Sequence, residues 1–123
     1  MGIGALIQTA DWKKEKHAPV IDCPDQVEAG ESFVVKVGVG VEIAHPNTAE
    51  HHICWISLYF QPQGDKFPYQ VGHFEFSAHG EGGAFTEPKT GTALTVDKPG
   101  TLYALSFCNI HGLWQGSKEI GIS

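Results

Sequence analysis

The 123-residue chain contains no arginine: its eight basic side chains are all lysine, set against fourteen acids for a formal charge of −6. Nucleic-acid readers present a basic stripe and favour arginine for bidentate base contacts, so that class is excluded. No apolar run approaches the roughly 18 residues of a membrane-spanning helix, so no membrane association is expected. The segment Met1 to Thr9 has neither a basic start nor a long apolar core, which argues against a secretory signal and for a cytoplasmic protein. Cysteine is scarce and odd in number, at Cys23, Cys54 and Cys108, with no CxxC pair. Reduced thiols are therefore expected, one of them a candidate ligand. The single methionine is Met1.

Histidine, in contrast, is plentiful, with seven: His17, His45, His51, His52, His73, His79 and His111. It is the commonest metal-ligating side chain, so a metal is implied before any motif is read.

The length is that of one ordinary domain, residues 1–123. Phe33 to Val41 alternates, with Phe33, Val35, Val37, Val39 and Val41 on one face, as in a half-buried strand. Ile53 to Phe60 is dense in β-branched and aromatic residues and reads as a more fully buried strand. Val71 to Ala78 and Thr101 to Cys108 are further strands, with shorter ones at Pro19 to Asp22, Thr92 to Val96 and Glu119 to Ile122. No long window keeps a helical period. About seven short strands punctuated by glycine turns predict an all-β, immunoglobulin-like sandwich, with a small closed barrel as the alternative.

Three segments carry chemistry: Glu15-Lys16-His17, His45-Pro-Asn-Thr-Ala-Glu-His51-His52, and Cys108-Asn-Ile-His111-Gly-Leu-Trp114. The C-x-x-H spacing of Cys108 and His111 lets a thiolate and an imidazole converge on one metal. The short loop between His45 and His51 can bring two further imidazoles to the same point. Adjacent residues entering a strand face opposite ways, so His51 and His52 cannot both reach it. His52, His73 and His79 lack ligand-spaced partners and are read as packed or solvated. Four imidazoles and one thiolate match neither a closed structural zinc site nor an all-oxygen Mg²⁺ or Ca²⁺ site. Five-coordinate iron with one open position fits best. A blue-copper carrier remains the competitor, with Gln115 standing in for the missing axial methionine, and a non-catalytic metal-binding sandwich module is the plainest alternative.

The three segments, in this order, resemble the signature of the superoxide reductases. The absence of an N-terminal four-cysteine site makes the chain similar to their single-iron branch, the neelaredoxins. That resemblance implies an oxidoreductase reducing superoxide to hydrogen peroxide at one mononuclear non-haem iron. His17, His45, His51 and His111 would be equatorial ligands and Cys108 the axial thiolate. Glu15 would fill the sixth position in the ferric state, and Lys16 would lie over the open ferrous face. It also implies rubredoxin or a similar small protein as electron donor, and homo-oligomers, tetramers in particular.

Overall fold

The computed structural model describes all 123 residues and is built almost wholly from strands. In chain order these are β1 (Val20–Asp22), β2 (Gln26–Val27), β3 (Phe33–Gly38), β4 (Ile53–Pro62), β5 (Tyr69–Glu75), β6 (Lys89–Leu94), β7 (Gly100–Cys108) and β8 (Gly112–Ile122). Helix is confined to two 3-10 turns, Ile3–Leu6 and Glu81–Gly83. One sheet has the order β1-β3-β6 and the other β2-β8-β7-β4-β5. All neighbours are antiparallel except β2, which runs parallel to β8.

The two sheets face one another across the core. Ile21, Val35 and Val37 project from the smaller sheet, and Ile56, Leu58, Phe60, Leu102, Ala104 and Ile120 from the larger. The period-2 alternation of β4 and β7 separates this core from the outer face of the larger sheet. Trp55, Tyr59, Tyr103, Leu105 and Phe107 alternate with core positions and stay half-buried on that outer face. An all-β sandwich is therefore the observed architecture, with eight strands rather than about seven. The added one is the two-residue β2, too short to carry a periodic signal.

Several strands depart from their expected bounds: β5 ends at Glu75 rather than Ala78, β6 spans Lys89–Leu94 rather than Thr92–Val96, and β8 begins at Gly112 rather than Glu119. Two further deviations lie next to the histidine loops. The alternation from Phe33 was expected to run through Val41, but β3 stops at Gly38 and Val41 is 50% exposed. Gly40 ends it with a φ of +76°, which turns the chain out of the sheet and into the loop that carries His45. At the start of β4 the register with β7 shifts between Ile53 and Trp55, leaving Cys54 as an extra residue beside the Ile53–Cys108 pair. Such a bulge bends a strand and re-aims its end. This one sits where the chain leaves His51 and His52 and meets Cys108.

Gly40 therefore tests the coupling of fold to loop. A Cβ there would stand 2.6 Å from the His45 amide nitrogen, whereas at Gly64 (φ +84°) it would meet nothing within 4 Å. The left-handed conformation alone costs a non-glycine residue roughly 1–2 kcal/mol. Gly64→Ala should destabilise by about that much at most, and Gly40→Ala clearly more, in denaturant unfolding of the metal-free protein. Equal losses would show that the His45 loop yields freely.

Candidate metal centre

Each of the three histidine-bearing segments is shaped by its own local bonds. Asp11 organises the first: its side chain accepts the Lys13 amide at 3.0 Å, and its carbonyl accepts the Lys14 and Glu15 amides at 2.9 and 3.0 Å. The resulting turn delivers Glu15, Lys16 and His17. In the second, the Thr48 hydroxyl accepts the His51 amide at 3.1 Å, while the Thr48 amide donates to the His51 carbonyl at 2.9 Å. The Asn47 side chain ties this loop to the Thr86 carbonyl at 3.2 Å. The third is the tight hairpin between β7 and β8, closed by the Cys108–Gly112 pair.

Together they bring His17, His45, His51 and Cys108 to one point, with their donor atoms all within 4.8 Å of one another. The His45 Nε2 lies 3.5 Å from the Cys108 Sγ, and His111 Nδ1 lies 3.7 Å from the same sulfur. His17 Nε2 and His111 Nδ1 are 3.0 Å apart. The structure thus brings three of the four expected imidazoles together with the expected thiol, and sets His111 beside them through its contacts with His17 and the sulfur. His17, His45 and Cys108 are buried, His51 is half-buried and His111 is exposed, so the cluster opens to solvent on one side.

The hydrogen bonds assign which ring nitrogen faces inward. His17 Nδ1–H donates to Glu15 Oε1 at 2.7 Å, and His45 Nδ1–H donates to the Pro46 carbonyl at 2.6 Å. Both leave an Nε2 lone pair directed at the cluster, the outer-sphere arrangement that orients metal-ligating histidines. His51 Nε2 is buried with no hydrogen-bond partner at all. Buried polar atoms are almost always satisfied. An orphaned nitrogen among converging lone pairs and a buried thiol is what a bound cation would complete. The donor set therefore fits a metal ion. The His111 amide, 3.4 Å from Sγ, supplies the N–H directed at the sulfur.

Trp114, the last residue of the third segment, holds two ligand candidates at once. Its ring stacks on His17 (centroids 5.0 Å apart, planes 15° apart), and its Nε1–H donates to the His111 carbonyl at 3.3 Å. Sequence reasoning quoted this tryptophan without assigning it a role; an aromatic beside a C-x-x-H turn was the available signal.

Other expected residues lie differently. Glu15 is on the Nδ1 side of His17, not among the converging atoms, and its second oxygen accepts the His17 amide at 2.8 Å. Partial burial pushes the Glu15 carboxyl up, but the bonds from His17 outweigh it and hold it below the usual carboxylate range. Lys16 is half-buried and makes no ion pair; its charge opposes protonation of both His45 and His51. His52 turns away and stacks on His79 at 3.4 Å, while His73 bonds Ser57 at 2.5 Å. Gln115 lines a groove on the outer sheet face with Ile7, Tyr59 and Leu105, which removes it as an axial copper ligand. Cys23 and Cys54 are free, and burial raises both thiols above their usual range.

Burial holds His45 well below its usual value, at about 4, with the charges of His17, His51 and Lys16 acting in the same direction. His51 is lowered too, by burial and by its histidine and lysine neighbours. A depressed histidine stabilises the fold above its unfolded value near 6.5, and that contribution is lost as pH falls toward the folded value. The metal-free protein should therefore lose thermal stability between about pH 6.5 and 4. His45→Gln should flatten this slope without abolishing it, because His51 remains. An unaltered slope in His45→Gln would remove His45 as its source.

The comparisons agree with this geometry. The family model for desulfoferrodoxin matches residues 9–117. The chain is 54% identical to the neelaredoxin of Megalodesulfovibrio gigas, covering 95% of each chain. It is 52% identical to the superoxide reductase of Pyrococcus furiosus, covering 92% of this chain and 94% of that one. The solved structure of the Archaeoglobus fulgidus superoxide reductase (neelaredoxin) in its reduced form superposes with a TM-score of 0.86, at 53% identity, over 94% of this chain and 98% of that one. The chain belongs to the desulfoferrodoxin family.

Proposed function

We propose that the chain is a superoxide reductase: O₂•⁻ takes up one electron and two protons and leaves as H₂O₂, at one iron held by His17, His45, His51, His111 and Cys108. The observation that carries this reading is the convergence of His17, His45 and His51 with a buried thiol, His111 beside them and one ring nitrogen lacking any partner, in a member of this family. Bound iron supplies the electron by cycling between its ferrous and ferric states.

The protein's own part is electrostatic and positional. With a formal charge of −6, the chain as a whole repels an anion. Lys16, unpaired and next to His17, offers a local cation that attracts the anion to the exposed side of the cluster. Lys13 and Lys14, on the same turn, add positive charge whose reach salt limits to about 10 Å at 0.1 M. As an N–H donor, Lys16 also steadies charge on the reacting oxygens. Glu15 orients His17 in the arrangement seen here. Were Glu15 to bind the oxidised ion, its carboxylate would have to leave His17 Nδ1 and the His17 amide, a rearrangement within the Asp11–His17 turn.

The chain contains no second redox centre motif, so the electron comes from outside, from rubredoxin or a similar small carrier. Two exposed apolar side chains, Ile43 and Ile110, lie in the loops that bear His45 and His111 and suit a transient contact there. The half-buried patch of Trp55, Tyr59, Tyr103, Leu105 and Phe107 on the outer face of the larger sheet supports assembly into a homo-oligomer, a tetramer by family resemblance. Three free thiols accord with a reducing, cytoplasmic location.

The first test is metal content and the visible spectrum of the reduced and oxidised protein, beside Cys108→Ser. One iron per chain, with an oxidised-state thiolate-to-iron band absent from Cys108→Ser, is expected; copper would instead indicate an electron carrier. Lys16→Ala should keep its iron yet react with superoxide roughly tenfold more slowly at low salt, the difference shrinking as salt is added. An unchanged second-order rate would refute steering by Lys16. Glu15→Ala should leave the ferrous reaction largely intact but change the ferric spectrum; an unchanged ferric spectrum would exclude Glu15 as a ligand.

A further inference from the structure

Asn109 follows Cys108 directly, and its side chain spans to the other ligand loop. Its Oδ1 accepts the His52 amide at 2.9 Å, and its Nδ2 donates to the Glu50 carbonyl at 2.9 Å. The Asn109 backbone amide adds a third bond, to the His52 carbonyl at 3.2 Å. These bonds bracket His51, one to the residue before it and two to the residue after. The His51 amide and carbonyl are themselves engaged by Thr48. His51 thus sits in a frame anchored to the neighbour of Cys108, while its own inward nitrogen is left without a partner.

Two features set this apart from ordinary loop bonding. The side-chain bonds join residues 57 and 59 positions apart, so they carry the β4–β7 pairing past its last pair, Ile53–Cys108, into the two loops. The Asn109 side chain is also exposed, so it is held at both ends by main-chain groups rather than by packing. Its amide acts as an acceptor at one end and a donor at the other, so no charged or single-function side chain of similar size reproduces both bonds.

We propose that Asn109 is the positioning residue for His51, a latch that sets the distance between the His51 ring and the Cys108 sulfur and so tunes the affinity of the centre. The inference rests on the reading of the cluster as a metal site. Removing a group that bonds a ligand directly typically weakens metal binding about 10- to 100-fold, and Asn109, which holds the main chain on either side of His51, acts one step further out, at the lower end of that range. A residue that only stiffened the fold would weaken the site whichever ligands remained. One that acts through His51 would have no effect once His51 is gone.

The test is Co²⁺ binding to the metal-free protein against a competing chelator. The wild type should bind one Co²⁺ with a thiolate charge-transfer band that Cys108→Ser lacks. Asn109→Ala should weaken binding about tenfold. In a His51→Ala background the same substitution should cause no further loss, whereas in His45→Ala the loss should persist. Affinity unchanged in Asn109→Ala, or a full-sized loss persisting without His51, would overturn the latch while leaving the metal centre intact. Wild type that binds no Co²⁺, or a band indifferent to Cys108→Ser, would overturn both. Should Asn109→Ala fail to fold, Asn109→Asp keeps the acceptor for His52 and loses the donor to Glu50. Its smaller loss must likewise vanish in His51→Ala.

Discussion

The constraint that organises this molecule is the crowding of basic lone pairs and a buried sulfur at one point. Imidazoles this close cannot all be protonated, because each cation raises the energy of the next, and burial of His45 penalises the charge further. Nor can they satisfy one another as neutral rings: His17 and His111 can share one proton at 3.0 Å, but His51 Nε2 has nothing to bond. A single multivalent cation resolves every one of these conflicts. The bonds from His17 to Glu15 and from His45 to Pro46 make sense in the same light, since each places a ring proton outward.

The fold meets this constraint by dividing the work between strands and loops. Cys108 ends β7, wholly buried and paired with Ile53, so the sulfur is set by the core itself. The imidazoles come from loops and the hairpin turn, whose backbone freedom is removed one contact at a time. Gly40 starts the His45 loop, Asn47 and Thr48 shape it, and Asn109 joins it to the hairpin. Trp114 couples His17 to His111 through one ring.

Much of this was legible in the sequence, and the reasons differ between fold and site. The alternation of β3 and the density of β-branched and aromatic residues in β4 reflect burial on known faces, so strand period revealed them. Strand ends were less legible: Val41 continues the pattern of Phe33 to Val39, yet the left-handed Gly40 breaks the strand ahead of it. The cluster was readable because C-x-x-H and the two-histidine loop are local in sequence, and the family resemblance supplied their order. What local reading missed were bonds between distant segments. Asn109 to Glu50 and Trp114 over His17 have no spacing signature, because they exist only after the loops meet.

The three segments are not held equally, and that difference bears on function. The His45–His52 loop and the Cys108–His111 turn are tied to each other and to the sheet by bonds at both ends. The Asp11–His17 turn instead has main-chain bonds mainly within itself, through Asp11 and Glu15; its long-range contacts are the Trp114 stack, the His17–His111 ring contact at 3.0 Å and a long bond of 3.5 Å from Ser106 to the His17 carbonyl. Segments with few long-range bonds open at lower free energy than those locked into a sheet. Glu15 and Lys16, the residues whose proposed roles change with oxidation state, both lie on this less anchored turn. Four of the five residues proposed to hold the iron, His45, His51, Cys108 and His111, lie on the latched pair, and the fifth, His17, is pinned by the Trp114 ring and by His111. The separation lets Glu15 and Lys16 rearrange without moving the sulfur or His51, and it follows from where the hydrogen bonds fall.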